Sequence, residues 1–417
     1  MTDWREVTLS ELCSRITVGH VGKMASEYVD DGVPFLRSQN IRPFVISTEG
    51  MLRISEEFHA RLSKSELRAG DVAVVRTGYP GTAAVVPPEL DGSNCADLVV
   101  VTPSDQLNAD LLAALFNSTW GRATVSGQLV GSAQQHFNVG SAKAMRVRLP
   151  DRQGQDRIAA VIRSLNDLIE NNRRRIGLLE QMAQAIYREW FVHFRYPGHE
   201  DDDWVDSDLG PVPEGWHADR LEVVAHVNRS SRKPRDDEEV RYLDISCLGD
   251  RQVGPVPEIR GTDAPGRARR VVASGDVVWS MVRPNRRAHA LLVEPGENWI
   301  ASTGLAVLTP TSLPASWLFE TVSTRAFSDY LVSQEGGAAY PAVKPRDFNA
   351  APVVVPPCGL AAQFDDAVGA SHRLIWDLFQ QSSAIEATRD LLLPKLVTGE
   401  IDVSDLDLDA LVEQATA

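Results

Sequence analysis

The chain has 417 residues, 43% of them hydrophobic and 24% charged, with a formal net charge of -15. These proportions are those of an ordinary globular protein and exclude wholesale disorder, a collagen-like repeat and a disulfide scaffold, while the length asks for at least two folding units. The acidic balance argues at first against nucleic acid, because phosphate binding normally leaves a basic footprint.

Taken in chain order, the opening MTDWREVTLSELC has no apolar run behind basic residues, and no later stretch approaches the roughly 18 apolar residues of a membrane span. A cytoplasmic protein with no membrane contact is expected. Residues 1–150 alternate short strands, punctuated by Gly, Pro, Asn and Asp, with a helix such as NADLLAALFNSTWGRATVSG. Residues 151–195 carry a long helical pattern, and 196–215, rich in Pro, Gly and acid, read as a surface linker. A second mixed domain (216–357), a second long helix (358–398) and an acidic C-terminal tail (399–417) complete the chain. Cys13, Cys95, Cys247 and Cys358 form no C-x-x-C pair, so neither a zinc knuckle nor a disulfide framework is suggested and buried, reduced thiols are expected.

The charge is unevenly spread. Residues 1–150 carry 14 basic and 16 acidic groups and residues 211–358 carry 17 and 18, whereas 200–210 carry none and 6, and 359–417 carry 3 and 11. Both large segments are thus nearly neutral, which leaves room for a basic face on each.

The two segments are copies of one unit, about 206 residues apart. VPFLRSQNI (33–41) matches VRYLDISCL (240–248), and LRAGDVAVVRTGYPGTAAVVP (67–87) matches VASGDVVWSMVRPNRRAHALLVEP (272–295). VVVTP (99–103) matches AVLTP (306–310), and VRLP (147–150) matches VVVP (353–356).

In the first long helix Ile158, Ile162, Leu165, Ile169, Asn172, Ile176, Leu179, Ala183, Ile186 and Trp190 advance by alternating steps of four and three, a heptad seam. Adding 206 gives Phe364, Val368, Ser371, Ile375, Leu378, Ser382, Ile385, Arg389, Leu392 and Leu396, a weaker but mostly apolar seam. Length and matching phase favour mutual pairing over each helix capping its own domain. Asn172 reads equally as a register-setting polar residue or as a solvent-facing offset. The short connection makes the helices antiparallel, so the expected fold is α+β: two mixed α/β domains joined by a coiled coil with approximate two-fold repetition. A rod of about 40 residues spans about 60 Å and sets the two domains at its opposite ends. Two diverged heads on such a ruler match duplex DNA with a split, asymmetric target.

The residues resemble the specificity subunits of type I restriction-modification systems across nearly the whole chain. LIENNRRRIGLLEQMAQAIYREWFVHFRYPG, GPVPEGW and LLLPKLVTGEIDV carry the resemblance in order and spacing, and GDVAVVRTGYPGTAAVV and GSAQQHFNVGSAKAMRVRLP look like target-recognition-domain signatures. The resemblance implies a non-catalytic DNA-binding subunit that partners two DNA adenine methyltransferase subunits and ATP-driven restriction motor-nuclease subunits. S-adenosylmethionine, ATP and Mg2+ then belong to those partners, and this chain holds no cofactor, metal or catalytic residue. It also implies that outer faces of the first helix, with Arg173, Arg174, Arg175, Tyr187 and Trp190, meet the methyltransferase subunits. Independently, the sequence has no Asp/Asn-Pro-Pro-Tyr/Phe tetrapeptide, no G-x-x-x-x-G-K-[ST] loop and no H-E-x-x-H.

DNA reading calls for arginine at guanine edges, Asn or Gln at adenine edges and hydroxyls at phosphates. In the first domain the candidates are Arg37, Ser38, Gln39, Asn40, Arg76, Thr77, Tyr79, Thr82, Ser132, Gln134, Gln135 and His136. In the second they are Arg267, Arg269, Arg270, Arg283, Asn285, Arg286, Arg287, Tyr340 and Lys344. The competing readings are structural: Arg37 and Arg76 pairing with Asp71 or Asp97, GRARR (266–270) as a solvated face, and Asp201, Asp202 and Asp203 as an acidic tract instead of a metal site. His136 has no nucleophile or second carboxylate beside it, which argues against a general base. A protein-binding scaffold and an enzyme with an unrecognised site are the alternatives to a DNA reader.

Overall fold

The computed structural model describes residues 4–127, 136–335 and 341–403. The chain divides into two compact units, one made of 1–170 with 384–417 and the other of 171–383. The division therefore falls inside both long helices.

In the first unit Leu98–Pro103 runs antiparallel to both Cys13–Val18 and Val72–Val75, and Ala83–Val85 extends that sheet. All four residues of Val72–Val75 are buried. Successive side chains of a strand point to opposite faces, so this one buried run builds two cores. Val72 and Val74 pack with helix Ala109–Asn117 and with the long helices, while Ala73 and Val75 pack with Leu36, Leu90 and Cys95.

The second unit repeats the plan. Leu305–Pro310 pairs with Ala225–Val227 and Val277–Ser280, followed by His289–Leu291. Val277 and Trp279 face the helix-side core and Val278 the other. The ribbon Arg5–Thr8 with Arg146–Leu149 is matched by His217–Arg220 with Pro352–Val355, and the parallel neighbours Phe35 and Asn94 by Arg241 and Trp299.

The shared Gly-Asp explains itself locally. Gly70 and Gly275 have φ of +87° and +85°, which a side chain resists. The buried Asp71 then accepts from the Arg68 N–H (2.9 Å) and the Thr102 hydroxyl, and Asp276 accepts from the Ala273 N–H (2.8 Å) and the Thr309 hydroxyl (2.6 Å). Asp71 also binds Arg15, so its carboxylate is taken by that arginine and not by Arg37 or Arg76.

The long helices are Arg152–Tyr187 and Cys358–Thr398. Every seam position, from Ile158 to Trp190 and from Phe364 to Leu396, is buried or half-buried. In the first unit Ile158 and Ile162 share a core with Leu393, Leu396 and Val397, and Arg389 donates to the Asn166 side-chain Oδ1 at 2.9 Å. In the second, Ile176 packs on Ile375 and Leu378, and Asn172 donates to the Gln381 side-chain carbonyl at 3.0 Å. Rising numbers on one helix meet falling numbers on the other within each unit, so the paired segments are antiparallel. Asn172 is buried in the seam and is not a solvent-facing offset. Full burial of one Ile or Leu contributes about 1.5–3 kcal/mol, so the apolar seam outweighs this single polar contact.

Three expectations change. The stretch 196–215 is structured: Trp204–Val205 pairs with Val212–Pro213, Val212 is buried, and Tyr196 and Phe194 pack their rings on Trp216. In the tail, Gly399 (φ +79°) ends the helix against Trp4, where a Cβ would sit 2.7 Å from the indole, and Val403 is buried in the first unit's core. Cys358 is exposed, although all four cysteines are free thiols. Among the described residues no helix is long and apolar enough to cross a membrane.

Candidate nucleic-acid interface

In the first unit two of the candidate loops converge. The turn after Val72–Val75 presents Arg76, Thr77 and Tyr79, and its backbone is tied to the segment entering helix Val139–Ala144 by a hydrogen bond from Phe137 N–H to the Arg76 carbonyl (3.2 Å). Gly78 and Gly81 take φ of +87° and +91°, and Thr82 N–H closes onto the Tyr79 carbonyl, so the tip is a defined turn. Tyr79 is 85% exposed at that tip. Among the described residues the buried Nε of Arg76 has no hydrogen-bond partner. Thr82 and His136 are half-buried. Ser132, Gln134 and Gln135 lie outside the described residues.

RSQN behaves differently along its four residues. Asn40 is fully buried: its amide donates to the Ser47 carbonyl (3.1 Å) and its Oδ1 accepts from Arg37 N–H (3.0 Å). It shapes the turn and is unavailable to an adenine edge, which corrects its candidacy. Ser38 donates to the Asp97 carbonyl, Arg37 reaches the Gly50 carbonyl, and Gln39 is exposed.

The second unit builds the same junction with other side chains. Val343 N–H donates to the Met281 carbonyl (2.9 Å), and Arg283 N–H donates to the Pro341 carbonyl (2.9 Å). Val343 and Met281 are the counterparts of Phe137 and Arg76. Arg283, Asn285, Arg286 and Lys344 are exposed, and Arg283 and Arg287 hold φ of +53° and +54°. Arg287 is already engaged, donating to the Ser323 carbonyl (2.8 Å) and to Asp250 (3.3 Å), so its guanidinium serves the fold. Tyr340 lies outside the described residues. Of GRARR, Arg267 is exposed, Arg269 donates to the Gly266 carbonyl, and Arg270 has a buried Nε with no partner among the described residues.

Below this junction His289 stacks on Trp279 with centroids 4.9 Å apart. Its Nδ1 lies 2.6 Å from the Arg287 carbonyl, which can only accept, so Nδ1 carries the proton and Nε2 accepts from the Ser323 hydroxyl (2.8 Å). Burial pushes the imidazole down to about 3, and the ring is neutral.

On the first long helix Arg173, Arg174 and Arg175 are exposed. Tyr187 and Trp190 are not outward: Tyr187 is buried with its hydroxyl 3.0 Å from Thr321 Oγ1, and both rings pack on Phe191 and Phe364. Their place in a docking face is thereby corrected to the second unit's core. Asp202 accepts from the Tyr196 hydroxyl, and no group of three or more His, Cys, Asp or Glu able to hold a metal occurs among the described residues.

Sequence reasoning missed two features. Glu180, Arg251, Glu320 and His372 meet in the second unit's interior, far apart in sequence. The charge run RSSRKPR (229–235) lies beside GRARR, a neighbour that only the folded chain discloses.

Two unlike copies of one α+β module, each completed by paired segments of the two long helices, make up the described fold. Over nearly its whole length the chain is similar to a type I restriction enzyme specificity subunit. It is 20% identical over 388 residues to the type I restriction enzyme MjaIX specificity subunit of Methanocaldococcus jannaschii, covering 91% of this chain and 89% of that one. A 96-residue stretch is 29% identical to the HindI specificity subunit of Haemophilus influenzae, 23% of this chain and 19% of that one. The crystal structure of the type I restriction-modification S subunit from M. genitalium shares the fold, with a TM-score of 0.58 at 13% identity over 95% of this chain and 96% of that one. No protein-family model matches.

Proposed function

We propose that this chain is the non-catalytic, DNA-reading specificity subunit of a type I restriction-modification complex, recognising a two-part asymmetric target with one half-site per domain. The observation that carries the reading is the twice-built loop junction. The same backbone hydrogen bond, Phe137 to Arg76 and Val343 to Met281, presents Arg76, Thr77 and Tyr79 in one unit and Arg283, Asn285 and Arg286 in the other. A constant frame with exchanged hydrogen-bonding and aromatic side chains is what two different base sequences require.

The partners are duplex DNA, two adenine methyltransferase subunits and restriction motor-nuclease subunits in the cytoplasm. S-adenosylmethionine, ATP and Mg2+ are used by those partners and not by this chain. Arg173, Arg174 and Arg175 on the first long helix are the docking residues for a methyltransferase subunit. Methylome sequencing of a host carrying the chain with its methyltransferase partner tests the reading: one two-part adenine motif is expected. Absence of any motif, together with absence of salt-sensitive DNA binding in a band-shift assay, would leave a protein scaffold instead.

A further inference from the structure

We infer that residues 229–235 and 266–270 of the second unit form a phosphate-gripping ribbon that holds the DNA backbone beside the second half-site, independently of base sequence. The inference rests on the DNA-reading function proposed above. Ser231 bridges to Arg270, Arg232 N–H donates to the Arg269 carbonyl (2.9 Å) and Val271 N–H to the Ser230 carbonyl (3.2 Å), so the two segments lie at strand spacing, about 5 Å apart. Together they carry Arg229, Arg232, Lys233, Arg235, Arg267, Arg269 and Arg270.

The acids beside them neutralise only part of this charge. Arg232 pairs with Glu238, and Arg235 with Asp237 and Glu238. Arg229, Lys233 and Arg267 are exposed and have no ion pair among the described residues. Arg229 also lines an open cleft of about 620 Å³ with Glu222, His226, Asn228 and Asn349.

The ribbon is continuous with the reading loop. The Arg267 carbonyl accepts from Thr303 N–H (2.8 Å), the adjacent Gly304 carbonyl accepts from Met281 N–H (3.0 Å), and Met281 lies two residues before Arg283. Long cationic side chains on a ribbon edge suit phosphates, which fix position, whereas the tight turn at Arg283 suits base edges, which specify. The first unit is less basic here: at an offset of 206 its residues 23–29 hold Lys23 as their one Lys or Arg, and 60–64 hold Arg61 and Lys64.

The test uses the complex with its methyltransferase partner and two duplexes, one carrying the methylated motif and one scrambled. Wild type is compared with Arg229→Ser/Lys233→Ser/Arg267→Ser and with Arg373→Ser, a control at an exposed position of the second long helix. The triple variant should weaken binding of both duplexes by the same factor and flatten the slope of log affinity against log salt by about 0.9 for each phosphate no longer neutralised. The control should leave the slope unchanged, and thermal unfolding of all three should agree. An unaltered slope in the triple variant, or a weakening confined to the specific duplex, overturns the ribbon while leaving the reading function intact. Failure of the wild-type complex to bind either duplex overturns both.

Discussion

Arg251 and Glu320 meet inside the second unit through two hydrogen bonds, Nη2 to Oε1 at 2.6 Å and Nη1 to Oε2 at 3.2 Å, with both side chains almost wholly buried. His372 of the second long helix donates to the same Oε1 at 2.9 Å, Glu180 of the first lies 3.6 Å from Arg251 Nε, and the guanidinium sits 4.4 Å over Phe319. Burial pushes the Glu320 carboxyl up, but His372 and Arg251 together hold it below its ordinary value, so the ion pair persists. Removing one partner strands the other charge in the interior. Glu320→Gln or Arg251→Met should each destabilise the protein by about 3–5 kcal/mol, read by denaturant unfolding, whereas the double Arg251→Met/Glu320→Leu should recover much of that stability. Equal destabilisation in the double and single variants would mean packing, not charge, dominates there.

Glu180 gives this cluster a pH dependence. Burial, with Glu320 and Asp250 nearby, pushes its carboxyl up to about 7 against the pull of Arg251. The folded protein therefore holds a proton that the unfolded chain releases near 4.5. Its contribution to stability is full below the unfolded value and is lost as pH rises through about 7. Because Gln mimics the protonated carboxyl, wild type and Glu180→Gln should melt alike near pH 5, and wild type should fall below the variant as pH rises to about 8, by about 3 kcal/mol. Parallel curves across that range would contradict the assignment.

Arg283 offers a variant in which stability and binding separate. Its φ of +53° is a conformation glycine adopts freely, and its side chain is exposed. Arg283→Gly should leave the melting temperature equal or higher while weakening recognition of one half-site by about 1–3 kcal/mol, measured by competition between cognate and altered duplexes. Loss of stability with intact recognition would reverse the roles assigned to the backbone and the guanidinium.

Asn40 and Gln39 make the complementary pair. Asn40→Ala removes three partly buried hydrogen bonds of a buried side chain and should cost about 1–3 kcal/mol of folding stability. Gln39→Ala, on the exposed neighbour, should change stability by less than about 0.5 kcal/mol and act, if at all, on half-site preference. Unfolding curves and a methylation assay on the same preparations distinguish the two.

Periodic features were readable before any coordinates. The 3–4 spacing from Ile158 to Trp190 reports a buried stripe, and Gly70-Asp71 with Gly275-Asp276 reports one turn used twice, because each pattern is local and repeats. Side-chain facing was less readable. Asn40 and Tyr187 have the residue types of an interface, yet a fully satisfied amide or a hydroxyl on Thr321 lets each sit inside. The four-residue cluster around Arg251 was illegible because Glu180, Glu320 and His372 come from separate segments and no spacing rule connects them. The matching locus in the first unit is filled the other way round: Phe44, also at positive φ, supplies the ring, and Arg389 supplies the cation 4.9 Å above it.

The hydrogen bond from Phe137 to Arg76, and from Val343 to Met281, involves only main-chain atoms. Mutation at the tip can therefore alter the lettering without loosening the page. A frame indifferent to its own side chains lets the residues at the tip change one at a time, each step leaving a folded protein behind.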